Sequence, residues 1–152
     1  MAVSRSRATA LILSLLFVVL GAFGWGVLRK IQLDNSSSEL AVALLRDTLS
    51  SGSATALINY AHPEWLQLMP TDSISSYLEN SVRRLGSLQS MSTITGESDT
   101  PLIPLPGSPI PATYAIELEM GSTPVSAELD MRYEDGQWWL LNLVLNTPRL
   151  MD

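Results

Sequence analysis

The chain contains no cysteine and a single histidine, His62. The first absence excludes a disulfide framework, thiol catalysis, a Cys-ligated zinc site and a lipid-modified N-terminal cysteine. It fits an oxidising compartment, although many cytosolic proteins lack cysteine too. A lone histidine without a close pair of acids is a poor ligand set, so no metal or other cofactor is expected. Basic residues are scarce beyond the N-terminal region. From Ile31 onward only Arg46, Arg83, Arg84, Arg132 and Arg149 stand against all fifteen acids, and the whole chain carries a net charge of −6. This acidic part would repel nucleic acid and anionic head groups at close range, which excludes nucleic acid as a partner.

Charge is missing altogether from residues 8–28, ATALILSLLFVVLGAFGWGVL, and so is proline. As a helix those 21 residues would be roughly 31 Å long, the thickness of a bilayer's hydrocarbon core. Trp25 lies near one end, where an indole suits the interface. A cleaved signal peptide would have a shorter apolar run and a small-residue cleavage site, whereas this run ends in Arg29-Lys30. The segment therefore reads as an uncleaved single-pass anchor. Flanking charge barely sets its direction, since Arg5 and Arg7 precede it and Arg29 and Lys30 follow it. The very short N-terminal tail favours an N-inside topology, with residues 1–7 cytoplasmic and the C-terminal domain exported. The expected location is a cell inner membrane with a periplasmic or otherwise extracytoplasmic domain.

Residues 29–35 read as a connector. Ser36-x-x-Glu39 has the form of a capping box and precedes an apolar-rich stretch, which predicts a helix over 37–50 with Leu40, Ala43 and Leu44 on one face. Short helices follow at 54–61 and 63–69, separated by His62-Pro63, and a longer one at about 73–85 stops at Gly86. The period then changes from helix to strand. Strands are expected at 88–95, 113–120, 125–133 and 138–145, with Asp135-Gly136 as a hairpin turn between the last two. Residues 97–111 carry five prolines and no periodicity. Their P-x-x-P spacings could present a polyproline II ligand, or stiffen a long hairpin connection. Helices first and strands afterwards imply an α+β fold, with three N-terminal helices packed on a four-stranded antiparallel curved sheet.

Leu85-Gly86-Ser87-Leu88 leading into a strand, two alternating strands, and a closing Asp135-Gly136-Gln137-Trp138-Trp139-Leu140-Leu141 resemble the nuclear-transport-factor-2-like superfamily of cystatin-like α+β rolls. The likeness covers about residues 36–147 and is closest to small membrane-anchored bacterial members of unknown function. It leaves 148–152 as a C-terminal tail. Such rolls often bulge the last strand. An extra residue near Leu141-Asn142 would turn Leu143 and Leu145 inward and keep the Asn142 amide out of the core.

The superfamily includes isomerases and dehydratases that work in the mouth of the cone with Asp, His or Tyr. Tyr60, His62, Trp65, Tyr114 and Trp138 are the candidate pocket residues. The bland alternative is that His62 marks a helix break and the aromatics are core. Glu117, Glu119, Glu128 and Asp130, with Trp139 and Leu141, would form an acidic and apolar outer sheet face, suited to a protein partner or a second copy. No acid–base constellation accompanies them. The expectation is a membrane-anchored binding or assembly module without catalysis; the alternative is a small isomerase, dehydratase or hydrolase using His62 and a tyrosine.

Overall fold

The computed structural model describes the backbone of residues 3–103 and 107–147, and side chains from Thr9 onward. The tail at 148–152, the first two residues and the centre of the proline-rich run, 104–106, lie outside the described residues.

One helix, α1 (Val3–Ser51), runs without a break through the apolar segment, the expected connector and the first domain helix. At 49 residues it is roughly 74 Å long. Residues 29–35 are therefore helical, which corrects the expected connector. The cause is local: no glycine or proline occurs between Val27 and Ser51, so nothing stops propagation. The capping box is not a cap either. Ser36 and Ser37 donate back to the Leu33 carbonyl at 3.0 and 2.7 Å, and Ser38 to Asn35 at 3.0 Å, which satisfies their hydroxyls inside the helix. The buried face of α1 is Leu33, Ser37, Ala41, Leu44, Leu45, Thr48 and Leu49. Ala43, expected on that face, is exposed.

Helices α2 (Thr55–Tyr60), α3 (Pro63–Leu68) and α4 (Thr71–Leu85) follow. Strands β1 (Leu88–Ser98), β2 (Ile110–Met120), β3 (Thr123–Glu134) and β4 (Gln137–Asn146) form one antiparallel sheet in sequential order. The α+β architecture is as expected: a long apolar N-terminal helix, then helices packed on a four-stranded antiparallel sheet. Alternation along β2 and β3 is regular. Tyr114, Ile116, Leu118, Val125, Ala127, Leu129 and Met131 are buried against the helices, while Glu117, Glu119 and Glu128 are exposed.

The last strand has its bulge. The register passes from Met131↔Leu140 to Asp130↔Asn142, leaving Leu141 as the extra residue. Leu143 is buried opposite Leu129, and the Asn142 amide donates to Asp130 at 3.3 Å on the outer side. The free edge of β4 is covered in part by the α2–α3 junction. The His62 N–H donates to the Leu140 carbonyl at 2.8 Å, and Ala61 bridges Leu140 in parallel.

Strand β1 is longer than expected, because Glu97 and Ser98 belong to it rather than to the loop. The β1–β2 loop and the β3–β4 turn share one end of the sheet, beside residues 25–30 of α1. The β2–β3 turn lies at the other end, where Gly121 meets Leu85 and Gly86.

Candidate functional site

The expected pocket residues do not converge. Tyr60 is 42% exposed. Trp65 and Tyr114 are buried core. His62 sits at the sheet edge, with its side chain 13% exposed. Its Nδ1 accepts the Glu64 backbone N–H at 3.2 Å, which caps α3. Its Nε2 lies 3.4 Å from Glu134, and its ring meets Trp139 edge-on with centroids 5.8 Å apart. Arg132 is 3.3 Å from Glu64 and 3.8 Å from Glu134. Among the described residues no tyrosine hydroxyl bonds His62, and no group of three or more His, Asp or Glu could hold a metal ion.

The outer sheet face carries its acids, but most are tied to neighbours. Asp130 accepts from Thr113 at 3.1 Å and from Asn142, Glu128 from Asn146 at 3.1 Å, and Glu119 from Ser90 at 3.3 Å. Trp139 is half-buried under His62, and Leu141 is half-buried at the bulge.

The densest polar constellation lies elsewhere, where α1 leaves its apolar segment and meets the sheet. Lys30 donates to Glu97 at 3.0 Å and to the Ser98 carbonyl at 3.1 Å, and pairs with Asp34 at 3.6 Å. The hydrogen bond to Glu97 is the main cause that holds the Lys30 ammonium above its ordinary pKa. Asp34 Oδ1 accepts the buried Ser98 N–H at 2.9 Å and also the Ser98 hydroxyl, which in turn meets Thr100 at 2.5 Å. The Tyr114 hydroxyl is 2.7 Å from Ser37 Oγ and donates to the Asp34 carbonyl at 3.3 Å. Burial pushes the Tyr114 pKa up, and the bond from Ser37 only partly offsets it. The Trp138 Nε1–H donates to Ser36 at 3.0 Å. Two turns of α1 are thus pinned to β1, β2 and β4 by buried or half-buried hydrogen bonds.

Beside this seam lies a cavity of about 790 Å³. Trp25, Leu28 and Arg29 of α1 line one wall, and Tyr133, Gln137 and Trp138 line the other. Trp138 is the one candidate pocket residue that reaches it, stacked at a tilt on Tyr133 with centroids 5.3 Å apart. A second cavity, about 450 Å³, opens between α4 and the far end of the sheet beside Tyr77, Arg84 and Thr123.

Sequence reasoning missed Lys30, Asp34, Ser36, Ser37, Glu97 and Ser98. The signal was present in part. Leu33, Ser37 and Ala41 continue the four-residue spacing of the buried helix face back toward the membrane segment, and Lys30–Asp34 is an i,i+4 ion pair on the same turns.

No family profile matches the chain, and no curated protein matches it. A solved structure of a protein named Rd1NTF2_05, in a form with five substitutions, aligns at 12% identity and a TM-score of 0.45. The alignment covers 74% of this chain and 98% of that one.

Proposed function

We propose that the chain is a membrane-anchored, extracytoplasmic binding or assembly module that works without catalysis. One observation carries this reading: a single unbroken helix serves as both the membrane-length segment and the core helix of the domain. Its apolar part is almost wholly exposed, from Leu11 to Leu28, so it is no core helix, and a lipid environment is what its composition requires. The length of the apolar run, its ending in Arg29-Lys30 and the lack of a small-residue cleavage site favour an uncleaved anchor.

The seam at residues 30–37 removes the hinge that a flexible connector would supply. The domain is then held at one height and in one orientation above the bilayer. That serves a module that must present a surface to another membrane-bound component. A catalyst of freely diffusing metabolites gains nothing from it. The group it fits is the small membrane-anchored members of the nuclear-transport-factor-2-like superfamily. The surface we assign to the partner, or to a second copy, is the outer face of β2–β4 with Glu117, Glu119, Glu128, Asp130, Trp139 and Leu141. The alternative, an enzyme using His62 and a tyrosine, is less favoured because both His62 nitrogens already have neighbours and no tyrosine joins them.

The chain has no native cysteine, so single cysteines can be placed at will. A photocrosslinker on Glu117→Cys, used in intact membranes, should give one discrete adduct with a partner or a second copy. Recovery of monomer alone would overturn the assembly reading. Ser122→Cys should react with a membrane-impermeant maleimide in spheroplasts. Reaction only after lysis would overturn the extracytoplasmic placement.

A further inference from the structure

Depth in the membrane can be read along α1. The Leu102 carbonyl packs so closely on Gly26 that a Cβ there would lie 1.8 Å from its oxygen. Only glycine lets the loop backbone come this near the helix. Gly26 belongs to the last turn of the apolar segment. The charged group of Lys30, Asp34 and Glu97 begins one turn further on, about 6 Å along the axis. Leu102 therefore lies on the membrane side of the first charges.

Its neighbourhood is apolar and open. Ile103 is 75% exposed, Leu102 is 38% exposed, and Trp25 on the same turn of α1 is 67% exposed. The sequence carries no charge from Pro101 through Pro111. The β3–β4 turn shares this end of the sheet but carries Glu134 and Asp135, which suit water. Exposed isoleucine and leucine are costly in water and favourable among head groups and upper acyl chains.

We propose that the β1–β2 loop is a second membrane contact, with Leu102 and Ile103 entering the interfacial layer of the bilayer beside α1. The occupant is lipid because the loop's height is fixed by Gly26, inside the membrane-length segment. This inference rests on the membrane-spanning reading of residues 8–28. It makes the domain stand on two supports, the helix and the loop.

The full chain, carrying an environment-sensitive fluorophore on one introduced cysteine, is reconstituted into phosphatidylcholine–phosphatidylglycerol vesicles with nitroxide-labelled acyl chains. The probe sites are Phe23→Cys in the apolar segment, Leu102→Cys and Ile103→Cys in the loop, and Ser122→Cys at the far end of the sheet. Quenching and a blue shift at 103 comparable to those at 23, with neither at 122, are the expected result. Quenching at 23 with none at 102 or 103 leaves the anchor standing and overturns the loop contact, including in favour of a protein ligand for the loop. No quenching at 23 overturns the membrane-spanning reading, and the inference falls with it.

Discussion

Asp34 is the residue through which the membrane helix is locked to the sheet, and its removal has a calculable cost. Its Oδ1 accepts two hydrogen bonds from Ser98, a residue with no exposed surface. In Asp34→Ala the Ser98 hydroxyl keeps Thr100, but the Ser98 N–H is left in the interior without an acceptor. An orphaned buried donor costs about 1–3 kcal/mol, and hydrogen bonds to a charged acceptor contribute about 1.5–3 kcal/mol each. These overlap, and Lys30 retains Glu97, so the net loss should be about 3 kcal/mol rather than the sum. Against a typical domain stability of about 5–15 kcal/mol this is large, and for a domain of this size it lowers the Tm by about 10 °C. Asp34→Asn keeps an acceptor oxygen and should cost only about 1 kcal/mol. Thermal unfolding of the full chain in detergent, followed by near-ultraviolet circular dichroism, reads the difference, and hydrogen exchange at the Ser98 amide reports the lock itself. In the cycle with Ser98→Ala the two sites should couple by about 1 kcal/mol or more. If Asp34→Ala cost under about 0.5 kcal/mol with the Ser98 amide still protected, the seam would not be what joins helix to sheet, and the rigid-mount reading would go with it.

Three further outcomes are expected. Lys30 and Tyr114 both hold their proton more tightly in the folded chain than in the unfolded one, where they titrate near 10.5 and 10.0. Their stabilisation is complete below those values and lost as pH rises through the folded ones, so Tm should be level to about pH 9 and fall above about pH 10, with a smaller fall in Tyr114→Phe. Deleting Leu141 removes the bulge yet keeps Leu140 and Leu143 on the inner face, so it should cost less than about 2 kcal/mol, whereas deleting Leu129 inverts one half of β3 and should prevent folding; denaturant titration separates them. Gly26→Val must push the Leu102 backbone away from the helix, so a probe at residue 103 should lose its lipid quenching while one at 23 keeps it.

The parts legible in the sequence are those with a short period or a local turn signal. The apolar segment, the alternation of β2 and β3 and the Asp135-Gly136 turn follow from neighbours a few residues apart, whereas the bulge near Leu141 is what the likeness to α+β rolls implies, supported by the cost of burying the Asn142 amide. Asp135 and Gly136 both take positive φ, 53° and 85°, as the turn demands. Residues 29–35 read as a connector because Ser36-x-x-Glu39 fits a helix start and a helix interior equally well. What decides between them is where the hydroxyl bonds, and here it bonds to the turn behind. The Asp34–Ser98 contact spans 64 residues and ends in a stretch whose prolines read as loop, so no local rule finds it. His62 drew attention as the lone histidine. Its position at the sheet edge is set by a backbone bond to Leu140, a pairing invisible before the fold is known.

Charge and polarity together favour one posture of the domain on the bilayer. An acidic body near an anionic leaflet is pushed away over the Debye length, about 8–10 Å. A flexible tether would let it drift outward and tumble. At the membrane end Lys30 engages Asp34 and Glu97, and His62 and Arg132 stand beside Glu134, while Asp99 and Asp135 belong to the loop and the turn there. The loop is uncharged from Pro101 onward, whereas Glu117, Glu119 and Glu128 stand on the strands leading away from that end. Repulsion therefore acts along the whole sheet, and the apolar loop is what gives the near part a reason to stay down. Held down at the loop and repelled elsewhere, the sheet axis turns away from the membrane plane. The outer face with its acids would then meet a partner sideways, along the membrane, which is the approach open to another membrane-bound protein.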